Sequence, residues 1–173
     1  MAFSLCCVML SMATPAGWAQ DADDTAAHTK VGDKMPSISV PETSGAKFSI
    51  AGEAGKVVVV NFWATWCGPC MIEMPLIEKT IWEKHKSQNF AMVAVAREQD
   101  QETVVAFQKK HPEFTFPMAS DPKRSTYSIF ADSGIPRTYV VDRHGKIVYQ
   151  SLGYAPKEVD NIDRAIEQAL AAK

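Results

Sequence analysis

A chain of 173 residues that is 46% hydrophobic holds enough apolar mass for one domain with a substantial core. Its formal net charge of −2 gives no reason to expect nucleic acid or an anionic membrane surface as a partner. Beyond the N-terminus no stretch is long and apolar enough to span a bilayer.

Residues 3–12 form an apolar run of signal-peptide length, and Gly17-Trp18-Ala19 offers small residues at the two positions a signal peptidase reads. Residues 1–19 are therefore expected to be a leader cleaved after Ala19, although no Lys or Arg precedes its apolar core. Leu5 stands before Cys6 where lipidation needs a small residue, so Cys6 and Cys7 are expected to leave with the leader. Export also suits the two cysteines that remain, Cys67 and Cys70. Residues 20–30 are polar, rich in Ala and Asp, and aperiodic, the composition of a flexible tether. The domain proper is expected over 31–173.

Residues 35–40 and 47–50 flank the turn cluster Pro41-Glu42-Thr43-Ser44-Gly45 and read as a short hairpin. Four consecutive valines at 57–60 then read as a strand covered on both faces. The chain continues through Asn61-Phe62-Trp63-Ala64-Thr65 into Trp66-Cys67-Gly68-Pro69-Cys70-Met71. Proline fixes φ near the helical value and lacks the N–H that a first turn leaves unpaired, so a helix is expected from about Pro69. Cys70, Met74, Ile77 and Ile81 give it one buried stripe to about Lys86, and Pro75 should kink it. Lys79, Glu83, Lys84 and Lys86 read as its solvated face.

Residues 90–96 read as a second buried strand, and 101–110 as a helix burying Val104 and Phe107. Phe114, Phe116 and Met118 alternate as a strand, and Asp121-Pro122 turns the chain. Residues 137–141 and 146–150 form a hairpin across Arg143-His144-Gly145. Pro156 opens a last helix that buries Val159, Ile162, Ile166, Ala169 and Leu170. The alternation of strands and helices predicts an α/β fold with a central mixed β-sheet.

The chemistry is concentrated at Cys67 and Cys70. Cys67 falls at a helix N-terminus, where unpaired N–H groups and the macrodipole favour negative charge. A free cysteine has a pKa of about 8.5 and attacks disulfides only as the thiolate, so this placement favours attack. Cys70 lies one turn on, in the buried stripe, placed to close onto a mixed disulfide. The pair reads as a redox dithiol, with Cys67 attacking and Cys70 resolving, and needs no metal or further cofactor. Two other readings remain. Zinc wants about four ligands, and His28, His85, His111 and His144 lack ligand spacing. A purely structural disulfide would close too short a loop to stabilise much.

The stretch VVVVNFWATWCGPCMIEMP, over 57–75, resembles thioredoxin-fold proteins, specifically the TlpA/ResA-like branch of exported thiol-disulfide oxidoreductases in the redoxin (AhpC/TSA-like) superfamily. The resemblance covers the chain from about Val31 to the C-terminus. It implies a thioredoxin fold with an N-terminal β-hairpin extension. It also implies a cis peptide at Ile135-Pro136, packed against the cysteine pair, where residues alone would read an ordinary trans proline. The Ile135 backbone would then receive an extended substrate as a short added strand. Trp66, Gly68, Pro69, Ile135 and Pro136 become the substrate-contacting surface.

This branch has a glutamate at the place of Glu73. Burial there would raise its pKa and let it accept and return the proton of Cys70. The alternative is a carboxylate favoured only by the helix dipole. Asn61 departs from thioredoxin, which has a buried aspartate at that position. Asparagine cannot ionise, so proton transfer falls to Glu73 or water, and Asn61 is expected to hold the active-site loop by hydrogen bonds. Trp63 is expected in the core and Trp66 at the surface.

Three functions compete. The first is a periplasmic reductase of disulfides in extracytoplasmic proteins, for instance apocytochrome c before haem attachment. Gly-Pro between the cysteines resembles the reducing members, near ~−270 mV rather than ~−120 mV. That implies oxidised proteins as substrates, a membrane-embedded thiol reductase as electron donor, and a monomer. The second is a thiol peroxidase, suggested by Gly134-Ile135-Pro136-Arg137-Thr138 and Asp142-Arg143-His144-Gly145-Lys146. Such enzymes need a threonine three residues before the attacking cysteine, and Ala64 stands there. The third is a copper-handling module using Met71 and Met74 as soft ligands, although Met at helical spacing is usually core.

Overall fold

The computed structural model describes residues 24–172. The expected leader and the first residues of the expected tether lie outside the described residues. In chain order the elements are β1 (Ser39–Pro41), β2 (Lys47–Ser49), β3 (Val57–Trp63), α1 (Gly68–Leu76), α2 (Glu83–His85), β4 (Phe90–Arg97), α3 (Gln101–Lys110), β5 (Met118–Asp121), β6 (Arg137–Val141), β7 (Ile147–Leu152) and α4 (Glu158–Ala171).

Five strands form one mixed sheet in the order β5-β4-β3-β6-β7. β4 runs parallel to both β3 and β5, whereas β6 is antiparallel to β3 and β7. A parallel β3–β4 pair needs a helical crossover, and α1 with its continuation supplies it. β3 is central, and each of its seven residues is buried, as the run of valines requires. Its alternation sends side chains to two cores. Val57, Val59 and Trp63 pack with residues of α1, α3 and α4. Val58, Val60 and Phe62 pack with Val40 and Phe48 of the antiparallel β1–β2 hairpin and with Tyr127, Phe130 and Tyr139.

Four expectations change. The first hairpin strand covers only Ser39–Pro41 rather than 35–40. Phe114 and Phe116 are buried but not in a strand, because the Thr115 and Phe116 N–H groups donate to the Glu78 carboxylate instead of a ladder. β5 therefore starts only at Met118. The kink expected at Pro75 is a change of helical register: α1 passes into a π-helical stretch, Ile77–Trp82, and then α2. Finally, residues 24–30 are held on the domain rather than acting as a tether, since Ala27 bridges Ala131 and the His28 N–H donates to Phe130. At the C-terminal end, α4 buries Val159, Ile162, Ile166 and Ala169, while Leu170 is half-buried.

Candidate active site

β3 ends in the buried Trp63, and the Cys67 N–H turns back to the Ala64 carbonyl at 3.1 Å. Cys67 has extended backbone, φ −85° and ψ 102°, and is the N-cap of α1, with Gly68 and Pro69 opening the helix. Its sulfur accepts the Cys70 N–H at 3.3 Å, so a backbone donor of the first turn already points at the position where a thiolate would form. Cys67 and Cys70 are joined by a disulfide with Cα atoms 5.3 Å apart. The sulfurs of the expected pair therefore do meet. Cys67 is 4% exposed and Cys70 1% exposed, so neither sulfur lies open at the surface. The exposed group is Trp66, at 61%, with the Arg97 guanidinium 5.8 Å from its ring.

The Ile135-Pro136 peptide is cis, and the Ile135 carbonyl oxygen stands 3.8 Å from the Cys67 sulfur. Gly134 before it has φ 90°, a backbone conformation that favours glycine, while the Leu152 side-chain end that a Cβ would meet at 2.5 Å is exposed and can move aside. The Tyr127 hydroxyl fixes the Gly134 carbonyl at 2.7 Å.

Glu73 lies on α1 one turn beyond Cys70 and is 1% exposed. Asn61 Nδ2 donates to its Oε2 at 3.2 Å, while Oε1 has no hydrogen-bond partner. Burial raises the Glu73 carboxyl to about 7. The Asn61 hydrogen bond opposes this and the Glu158 charge adds to it. Glu158, at the start of α4, accepts the Tyr149 hydroxyl at 2.7 Å. Asn61 also donates to Thr138 Oγ1 at 2.9 Å across the β3–β6 ladder. It thus holds Glu73 and β6, not the active-site loop as the sequence suggested.

That loop is held by Gln99, a residue the sequence did not single out. Its Oε1 accepts the Thr65 N–H at 2.8 Å and its Nε2 donates to Thr65 Oγ1 at 2.6 Å. No local pattern marks a glutamine 34 residues away as the loop's partner. Met74 is buried and Met71 half-buried against the same core, the ordinary packing role of methionine on such a helix. Among the described residues no helix is long and apolar enough to cross a membrane.

Comparison with known proteins matches residues 30–166 to the Redoxin family. The chain is similar to the thioredoxin-like protein YneN of Bacillus subtilis (strain 168), 37% identical over 121 residues that cover 67% of this chain and 68% of YneN. It is 29% identical to the thiol-disulfide oxidoreductase ResA of Bacillus cereus over 129 residues, 75% of this chain and 73% of ResA. Among solved structures it is similar to a thiol:disulfide interchange protein of the thioredoxin family from Chlorobium tepidum TLS. That likeness has a TM-score of 0.68 and 26% identity, covering 83% of this chain and 99% of that one.

Proposed function

From the premise that this chain belongs to the redoxin family and is a thiol-disulfide oxidoreductase, we propose that it is an exported reductase of disulfides in extracytoplasmic proteins. The observation that carries the reading is the Cys67–Cys70 disulfide at the N-terminus of α1, beside the Ile135 carbonyl and above a buried carboxyl that titrates near neutrality.

In the reduced protein the Cys67 thiolate attacks a substrate disulfide. A Cys67–substrate disulfide forms and one substrate thiolate leaves. Cys70 must lose its proton before it can attack Cys67. Glu73 is the acceptor, one turn away on the same helix face and titrating near the operating pH. Attack by Cys70 forms the Cys67–Cys70 disulfide and releases the second substrate thiol. Two electrons have then passed to the substrate, with no cofactor beyond the cysteine pair. The Ile135 backbone receives the substrate as an added strand, with Trp66, Gly68, Pro69 and Pro136 around it.

The leader over 1–19 supports export to the periplasm or its equivalent. A reductant in that oxidising setting needs a membrane-embedded thiol reductase to re-reduce it. Oxidised proteins are its substrates, apocytochromes c before haem attachment among them. One chain carries the entire site, so the working unit is a monomer. Equilibration with glutathione redox buffers tests the direction of electron flow. The expected midpoint is near thioredoxin's ~−270 mV, and one near ~−120 mV would make the protein an oxidant and overturn the reading.

A further inference from the structure

Arg137 follows Pro136 directly and opens β6, yet its side chain is 0% exposed. A guanidinium out of water needs both a counter-charge and acceptors for its N–H groups. Asp24 supplies the charge: Nη1 donates to one carboxylate oxygen, and Nη2 reaches the other at 3.1 Å. Nη2 also donates to the Ser133 carbonyl at 3.0 Å. One side chain therefore ties the residue after Pro136 to the residue two before Ile135. The chain that follows Asp24 lies along the same loop. The Asp132 N–H donates to the Ala26 carbonyl at 2.9 Å, the His28 N–H donates to the Phe130 carbonyl at 2.8 Å, and Ala27 faces Ala131 in an antiparallel bridge. The composition of this segment gives it no apolar stripe to bury, so the part-buried pair with Arg137 is what anchors its first residue.

We propose that residues 24–28 are a strap over the loop that presents Ile135, and that Asp24, acting through Arg137, is a positioning residue for the Ile135 carbonyl. This rests on the reading that Ile135 pairs with the substrate backbone. Without the Asp24 charge, Arg137 is left as an uncompensated buried cation that must rotate or hydrate, and its hold on Ser133 goes with it. The Ile135 carbonyl then loses its fixed place beside Cys67, and substrate strand addition weakens while the chemistry of the sulfurs stays as it was.

The test uses the full chain reducing a disulfide-bonded peptide, with dithiothreitol supplying electrons. Asp24→Ala and the isosteric Asp24→Asn should raise KM about tenfold with kcat within about twofold, and Asp24→Glu should recover most of the loss. Alkylation of the reduced protein at Cys67 by iodoacetamide, which needs no strand pairing, should stay at the wild-type rate. An unchanged KM in folded Asp24→Asn overturns the strap. So does a parallel change in KM and alkylation rate, which marks general loosening. If Asp24→Ala does not fold, Asp24→Asn carries the same comparison. N-methylation of the peptide backbone beside its cysteine separates the premise from the proposal. If wild-type KM ignores it, the Ile135 pairing itself is wrong whatever Asp24 does.

Discussion

Glu73 is buried, with one carboxylate oxygen satisfied by Asn61 and one that no protein donor reaches. Its titration near 7 rather than 4.5 means that the folded protein holds this proton more tightly than the unfolded chain does. The sign follows directly. The contribution of Glu73 to stability is complete below about pH 4.5, falls as pH rises, and is gone once pH passes about 7. The range corresponds to on the order of 3 kcal/mol. Urea unfolding of the oxidised protein should thus show stability falling from about pH 4.5 to about pH 7, and Glu73→Gln should remove most of that slope. An equal slope in the variant would place the titration elsewhere. The presence of Glu73 one turn beyond Cys70 was legible in the sequence. Its missing hydrogen bond was not, because only the packed fold shows that Asn61 of β3 is the one side chain donating to it, that Asn61 also serves Thr138 of β6, and that Glu158 of α4 brings charge and no donor.

At the scale of elements, β3 and α1 follow closely from their residues. Seven consecutive buried side chains and a stripe at i, i+4, i+7 and i+11 leave a strand and a helix few alternatives. The π-helical stretch was not legible, because its apolar stripe reads equally as α-helix and the partners its residues meet lie in a later segment. Glu78, carried on that stretch, accepts the Thr115 N–H at 2.7 Å, the Thr115 hydroxyl at 2.5 Å and the Phe116 N–H at 3.3 Å. The same three bonds explain why Phe114 and Phe116 alternate like a strand yet join none. Glu78→Ala should therefore destabilise the fold by about 2–3 kcal/mol, read as a lower urea midpoint, because it strands donors in a part-buried setting. The Cys67 alkylation rate should not change. A variant as stable as the wild type would show that water replaces the carboxylate without loss.

For the molecule as a whole, the reactive pair sits where β3 ends and α1 begins, at the carboxyl end of the parallel strands, the usual place for a site in a sheet of this kind. Local sequence specified the cysteines, the helix start and the strand beneath them. Long-range pairs did the rest: Gln99 on Thr65, Asp24 on Arg137, and Tyr127 on Gly134 hold the loops that meet at the disulfide. Such partners carry no periodicity and emerge only from the packed fold. The central claim is the division of labour between the two sulfurs. It is tested most directly by incubating reduced Cys70→Ser and Cys67→Ser proteins with a disulfide-bonded protein and resolving mixed disulfides on non-reducing gels. Cys70→Ser should accumulate a covalent complex through Cys67, and Cys67→Ser should accumulate almost none. The reverse pattern, or complexes of equal yield from both variants, would contradict the account.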